Sequence, residues 1–524
     1  MRFLPVNQNA ILVEVESLEA VMALHQSLMT APIAEILDII PAARTLLIYF
    51  DRHRLDQAQL VHLIRQREHL PVLPAAGQLI VIPVVYDGED LDDVAAWLEI
   101  TTDEVIQRHT EHRYQVAFTG FAPGFAYLSC LDKPFNVSRR SSPRTRIPAG
   151  SVALAGEFSG IYPKDSPGGW QLIGSTSAVL WDLQRQPPAL FQPGDQVQFE
   201  AVDQLAPKVF LTSAPPARLK ESQHAAALEI ITPGLLTTFQ DQGRFGMAAM
   251  GISESGAMDQ GAYRQANQIV GNDDDWACLE ITQGGLAFNV YESIVVSFTG
   301  AMGNVTVLSE QGQTTIVSHY QPIALYPGDR CQIAMTDRGA RGYLAVRGGF
   351  KCTPILNSSS YDSLAQVGPL PLQAGDCLEL ANRSVRRAVM LDQMALQSFS
   401  KAGEEIVLDI TMGPHSDWFH SKSLDDLIDQ VWQVTPQSNR IGLRLQGQQA
   451  LSRKNNNELP SEGTTMGAIQ VPANGQPVLF TRDHPLTGGY PVIASVASYH
   501  LDRAGQLPVG AWIRFNLIQP FREL

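Results

Sequence analysis

The sequence predicts a mainly β protein opened by a small α/β domain, and three observations predict it. Glycine (41) and proline (33) together approach one residue in seven of the 524, which favours many turns and short strands over long helices. A block is also written twice. Its first copy is Ile147-Pro148-Ala149-Gly150 followed by Ser166 to Ser175 around Gly168-Gly169-Trp170; its second is Val471-Pro472-Ala473-Asn474-Gly475 followed by Leu486 to Ser495 around Gly488-Gly489-Tyr490. Each copy leads to a second turn and a short alternating strand: Pro193-Gly194-Asp195 before Val197 and Phe199, and Val509-Gly510-Ala511 before Ile513 and Phe515. Gly348-Gly349-Phe350 with Gly375-Asp376 is a weaker third copy. Self-similarity at this long, irregular spacing implies duplicated domains rather than a solenoid. A double glycine beside a large aromatic marks a barrel corner, or a backbone that passes close to a ligand. The third observation is that strand and helix periodicities alternate at the start of the chain.

Residues 1–82 read as that α/β domain. Ala10 to Val15 is strand-like, and Leu18 to Met29 has helical spacing at Leu18, Val21, Met22 and Leu28. Leu46 to Phe50 is another strand, Leu55 to Arg67 an amphipathic helix, and Leu79 to Val85 a further strand, a pattern that suits an open-faced sandwich. Residues 83–212 read as a barrel: helices over Leu91 to Glu99 and Asp103 to His112, the second capped at Thr101-Thr102-Asp103, then short strands between turns. Residues 213–227 are polar, proline-marked and unpatterned, an inter-domain linker. Residues 228–390 and 391–524 read as two more barrels, divided by the turn-rich stretch Leu380 to Glu404. One helix is expected from Met258 to Val270, with Asp259 near its start and Gly271 just past its end.

The net charge of −15, with no Lys/Arg block, makes nucleic acid and anionic membrane poor partners. Five scattered cysteines without a C-x-x-C pair indicate neither a disulfide framework nor a zinc site. Met1 to Glu16 lacks the apolar core of a signal peptide, and no apolar run is long enough for a bilayer, so the expected location is cytoplasmic. There is no Gly-Lys dipeptide for a Walker A loop, no G-x-S-x-G elbow and no G-x-G-x-x-G fingerprint. No Met-Lys pair offers a biotin attachment site on this chain, and the spacings His109/His112 and His415/His420 are weak metal signals.

The stretch Phe118-Thr119-Gly120-Phe121-Ala122-Pro123-Gly124-Phe125-Ala126-Tyr127-Leu128 presents aromatic faces and free backbone N–H groups, suited to a planar amide or an anion. Together with Arg144-Thr145-Arg146-Ile147-Pro148-Ala149-Gly150-Ser151 and Gly160-Ile161-Tyr162-Pro163, it resembles the allophanate hydrolase subunit 1 family, which includes the B-type component of 5-oxoprolinase and KipI. The second half resembles the companion subunit 2 family, which includes the C-type component of 5-oxoprolinase. The residues that carry this are Gln240-Asp241-Gln242-Gly243-Arg244-Phe245-Gly246, Ser255-Gly256-Ala257-Met258-Asp259, Ser438-Asn439-Arg440-Ile441-Gly442, Ser461-Glu462-Gly463 and Gly488-Gly489-Tyr490-Pro491. The resemblance spans roughly 5–210 and 228–520 and implies cyclophilin-like β-barrels in a natural fusion of the B-type and C-type components. Two departures stand out. Relatives usually carry Ile-Gly-Arg-Thr-Pro where this chain has Ile173-Gly174-Ser175-Thr176-Ser177, and Gln-Thr-Thr-Gly-Gly-Tyr where it has His484-Pro485-Leu486-Thr487-Gly488-Gly489-Tyr490.

The resemblance implies ATP-dependent opening of the 5-oxoproline lactam to glutamate, with ATP and Mg2+ as co-substrate and a separate LamB/YcsF-type component of 5-oxoprolinase as partner. Such a site needs cations for phosphate, an acid or base, and an amide-binding loop. Arg144, Arg146, Arg440 and Arg444 are the candidate clamps for phosphate or carboxylate. Asp241, Asp259 and Asp483 are candidates for magnesium or proton transfer, and His484 for a base. Gly120, Phe121, Pro123, Gly124, Tyr127, Gly488, Gly489 and Tyr490 are the expected pocket walls. Paired subunit 1 and 2 domains also form the carboxyltransferase part of urea carboxylase, and KipI-like domains inhibit a histidine kinase; these are the alternative readings. The sequence leaves self-association open.

Overall fold

In the computed structural model, residues 1–67, 77–140, 142, 144–205, 226–301 and 303–524 are described. The expected linker therefore lies outside the described residues, apart from Ala226 and Ala227, which are buried. The opening sheet has the antiparallel order Arg2–Asn7, Ala10–Glu14, Thr45–Phe50, Ile36–Pro41. Its two outer strands escape the sequence pattern because each contains a proline, which an edge strand tolerates and a central one does not. Helices Leu18–Thr30 and Gln57–Arg65 cover one face. Their Val21, Leu24, Leu28, Leu60 and Ile64 pack on Phe3, Ile11, Val13, Leu46, Ile48 and Phe50. Ser17 caps the first helix and an Asp56/Gln59 capping box starts the second. The opposite face is not open: Leu4, Leu12, Ile40 and Leu47 pack against Ala248 and Leu486 of the second half.

The strand Leu79–Val84 does not join this sheet as expected. It pairs in parallel with Gln196–Ala201 and begins the first barrel. That sheet runs Gln171–Ser175, Ser151–Ala155, Phe158–Ile161, Ala126–Ser129, Arg113–Thr119, Gln196–Ala201, Leu79–Val84. Val85 and Ser175 exchange two backbone hydrogen bonds of 2.9 and 2.8 Å and close it. The departing residue Ser175 thus sits on the seam, its Oγ donating to Asp87 at 2.9 Å.

The last barrel repeats this order strand for strand. It closes as Glu405–Met412, Val492–Val496, Ala468–Gln470, Val478–Phe480, Gly442–Gln446, Val431–Val434, Trp512–Gln519. Its single parallel pair again joins first and last strands. Each barrel also carries a two-stranded side ribbon, Arg144–Ile147 with Ser166–Gly168 and Glu462–Gly463 with Thr487–Gly488. Only part of the duplicated block is structurally equivalent: Ser166 to Ser175 and Leu486 to Ser495 each give a ribbon strand and the barrel strand after it, whereas Pro148 to Gly150 precede Ser151–Ala155 and Val471 to Gly475 follow its counterpart Ala468–Gln470.

The middle unit is built as two facing sheets, of six and five strands, around Phe239, Phe288, Phe298, Leu344 and Phe350. Here the weaker third copy is a different structure. Gly348 and Gly349 have φ of +87° and +75°, whereas none of Gly168, Gly169, Gly488 and Gly489 has a positive φ. Helix Gln260–Ile269 lies on this unit, N-capped by Asp259, and Leu380 to Glu404 carries no helix or strand.

Candidate active site at the junction of the two halves

In a β-ribbon successive side chains point to opposite faces, and the ribbon Glu462–Gly463/Thr487–Gly488 uses its two faces differently. Ser461, Gly463, Thr487 and Gly489 face the first half. Ser461 Oγ donates to Tyr127 Oη at 3.4 Å and accepts from Arg139 at 3.3 Å, and Thr487 Oγ1 accepts the Phe121 N–H at 3.1 Å. A Cβ at Gly489 would lie 2.9 Å from Arg139 Nη1, and one at Gly120 would lie 2.5 Å from Thr487 Oγ1. On the other face, Glu462 Oε2 lies 3.1 Å from His415 Nε2, and Gly488 leaves room for the Gln470 carboxamide.

Arg139 stands between the duplicated corners. The N–H of its neighbour Arg140 donates to Gly169 O at 2.8 Å, while its own guanidinium fills the space above Gly489. Beside it opens a cavity of about 410 Å³ lined by Arg44, Lys133, Arg139, Glu157, Glu458 and Ser461 among others. Lys133 pairs with Glu157 and Arg139 with Glu458, each at 2.9 Å. Arg44 has no ion pair among the described residues. Behind Ser461, Tyr127 stacks on Phe118 at 4.2 Å and meets Phe125 and Trp170 edge-on. The cleft itself is lined by three cations, Arg44, Lys133 and Arg139, by Glu16, Glu157 and Glu458, and by the single aromatic ring of Phe158.

The residues singled out from the sequence fall into three groups. Gly120, Phe121, Pro123, Gly124 and Tyr127 form the junction rather than an open wall: Gly124 N–H donates to Met250 O at 3.2 Å, and Phe121 takes φ of +61°. Gly488, Gly489 and Tyr490 are at the corner, with Tyr490 40% exposed under the Arg453 guanidinium.

The four arginines do not converge. Arg144 is held by Asp90 and Glu89, Arg146 pairs on the surface with Asp165, and Arg444 is exposed elsewhere. Arg440 is 2% exposed and bonded to Glu280, Asp483, Gln240 and Gly256 O, so it cannot clamp a ligand.

The carboxylates are likewise committed. Asp241 accepts from Gly243, Ser358, Ser359 and Ser360, and Asp259 caps its helix and accepts from Gln397 and Gln506. Burial and the nearby Asp502 push Asp259 up to about 6. Burial acts to raise Asp483, but Arg440 outweighs it and holds that carboxyl below its ordinary value. These three do not converge on a metal, and no group of three potential ligands occurs among the described residues. His484 is fully buried, donates from Nδ1 to Pro485 O and is pushed down to about 4 by burial. Sequence reasoning missed Arg139 and the His415–Glu462 pair. Their signal was position: the residues beside and opposite the repeated glycines.

Residues 250–517 match the family profile described as carboxyltransferase domain, subdomain A and B, and residues 1–191 match subdomain C and D. The chain belongs to this carboxyltransferase-domain family. Within that family, the C component of the 5-oxoprolinase of Escherichia coli (strain K12) is 36% identical over 291 residues, 55% of this chain and 90% of that protein. The B component of the 5-oxoprolinase of Haemophilus influenzae is 41% identical over 169 residues, 32% of this chain and 79% of that protein. Urea amidolyase of Saccharomyces cerevisiae is 31% identical over 308 residues, 55% of this chain but 16% of that protein. The crystal structure of TTHA0988 aligns with a TM-score of 0.81 at 31% identity, covering 97% of this chain and 99% of that one. This carboxyltransferase-family chain is thus a B-type half fused to a C-type half, and the expected cyclophilin-like architecture is borne out. No helix among the described residues is long and apolar enough to cross a membrane.

Proposed function

We propose that the chain is the fused B/C component of an ATP-dependent 5-oxoprolinase, completed by a LamB/YcsF-type partner. The observation that carries this is that relatives named as the B and C components of 5-oxoprolinase match its successive halves. A five-membered lactam is protected by amide resonance. Phosphorylating its oxygen from ATP, which brings Mg2+ with it, makes the ring carbon open to water. Arg44 and Arg139, which line one cavity, suit the substrate carboxylate. The experiment mixes the full chain with its LamB/YcsF-type partner, ATP, Mg2+ and 5-oxoproline and measures glutamate. Release that depends on all of them is expected; none with the cognate partner overturns the reading.

A second reading, a carboxyltransferase component acting on urea or another amide, is favoured by the match to urea amidolyase. It requires biotin on another chain. Amide-dependent decarboxylation of carboxybiotin by the full chain would select it.

A further inference from the structure

Arg44 stands on the turn between the strands Ile36–Pro41 and Thr45–Phe50, where the Ala42 N–H donates to Thr45 O at 2.9 Å. Its own carbonyl accepts the Val15 N–H at 2.9 Å, and the N–H of its neighbour Ala43 donates to Ser461 O at 3.1 Å. The same Ser461 accepts from Arg139 Nη2 through its Oγ at 3.3 Å. One residue at the start of the last barrel's ribbon thus holds two arginine-bearing segments, one from the opening α/β domain and one from the first barrel. Both arginines line the cavity of about 410 Å³.

The charges of that cavity are unevenly matched. Lys133 has Glu157 and Arg139 has Glu458, each at 2.9 Å. Arg44 is exposed and forms no ion pair among the described residues, although Glu16 also lines the cavity. An anion that binds at Lys133 or Arg139 has to displace a carboxylate already there, whereas at Arg44 it supplies the first counter-charge. A guanidinium presents a planar fork that matches a carboxylate with two parallel hydrogen bonds. Part of the lining is apolar, with Leu18, Val137, Ala155, Phe158 and Pro460. One free fork beside apolar surface fits a small ring that carries a single carboxylate. The volume lies in the usual range of small-molecule sites, roughly 300–1,000 Å³.

We propose that Arg44 is the residue that selects a carboxylate-bearing lactam; this rests on the 5-oxoprolinase reading above. It takes the substrate carboxylate, while Lys133 and Arg139 keep their own partners. Neutral amides, urea and 2-pyrrolidinone among them, offer Arg44 nothing to bind, so this residue sets the site apart from one built for urea. Because the Arg44 turn is pinned to Ser461 O, the selecting residue is held in place by contact between the two halves.

The test uses the full chain with its LamB/YcsF-type partner, ATP, Mg2+ and 5-oxoproline. Arg44→Met keeps an unbranched stem and removes the fork, and at an exposed position it leaves no buried charge unpaired. KM for 5-oxoproline is expected to rise about 10- to 100-fold, the effect of losing a hydrogen bond to a charged group, with kcat changed far less. Arg44→Lys keeps the charge without the fork, and its KM should rise less. Cyclopentanecarboxylate has the ring and the carboxylate but no lactam. It should inhibit the parent competitively, with an inhibition constant that rises in Arg44→Met by the same factor as KM. A KM for Arg44→Met within about threefold of the parent overturns the proposal alone, as does a loss confined to kcat. So does cyclopentanecarboxylate that fails to compete, or that competes equally well in the Met variant. No glutamate from the parent chain overturns the functional reading, and the proposal with it.

Discussion

Replacing Arg440 by methionine would leave Glu280 and Asp483, 1% and 0% exposed, without their shared counter-charge. Removing one partner of a buried ion network costs more than the network contributes, because the remaining charges stay desolvated. Arg440→Met is therefore expected to lower stability by about 3–5 kcal/mol, read as the shift in denaturant midpoint. Adding Asp483→Asn should recover part of that loss; a single variant as stable as the parent would mean the network is not what joins these elements. The same residues show what a motif conveys at this scale. Asp241, Asp259, Asp483 and Arg440 stand in the matching motifs, and residue type alone reads as chemistry. Their burial and saturated hydrogen bonds make them the polar frame between the two-sheet unit and the barrel of the C half, a distinction that depends on three-dimensional partners.

Elements were more legible than residues. Helices over Leu18–Thr30, Leu91–Leu98, Thr102–Glu111 and Gln260–Ile269 follow the expected periodicity and caps within a residue or two. Leu79–Val84 was legible as a strand but not as a barrel strand, since its partner Gln196–Ala201 lies more than a hundred residues away. Ser421–Asp429 was not foreseen, because no side-chain cap marks its start. Helix Thr102–Glu111 carries a prediction of its own. Its His109 is fully buried, contacts Tyr86 Oη and Ser159 Oγ at 2.6 and 2.9 Å and stacks on Phe199 at 4.1 Å. Burial pushes it down to about 3. The unfolded chain therefore binds a proton that the native helix refuses, and the stability from this residue is full above about pH 6.5 and declines as pH falls toward 3. Half-buried Asp38 and buried Asp362, raised to about 6 and 7, act in the opposite sense, losing stability as pH rises. The comparison must therefore be between variants. His109→Asn should lose about 1 kcal/mol less than the parent between pH 7.5 and 5.5, measured by denaturation. Equal losses would place the histidine's protonation outside the folding equilibrium.

At the scale of the whole molecule the two halves are joined by far more than chain continuity. Ser461 O accepts the Ala43 N–H at 3.1 Å, Tyr49 donates to Thr464 O at 3.3 Å, and Lys164 reaches Leu364 O. Thr119 donates to Ala249 O at 2.9 Å, and Leu524 N–H donates to Phe3 O at 3.0 Å. One apolar cluster draws members from both halves: Leu4, Leu12 and Leu47 from the first, Ala248 and Leu486 from the second. Gly120 and Gly463 permit backbone approaches at this seam that any side chain would block. None of these contacts involves residues 206–225, so the junction should outlast a cut there. A protease site engineered between those residues and cleaved in the native protein should leave both fragments eluting together at the mass of the parent, 57.3 kDa. The complex should persist in high salt, because the apolar cluster and backbone hydrogen bonds are screened little compared with the partly exposed Arg139–Glu458 pair. Fragments that elute separately would show that fusion, rather than the seam, holds the halves together. Co-elution would make the seam the equivalent of an interface between B-type and C-type chains, with the Arg139 cleft and the Glu462 corner on opposite faces of the ribbon that forms it.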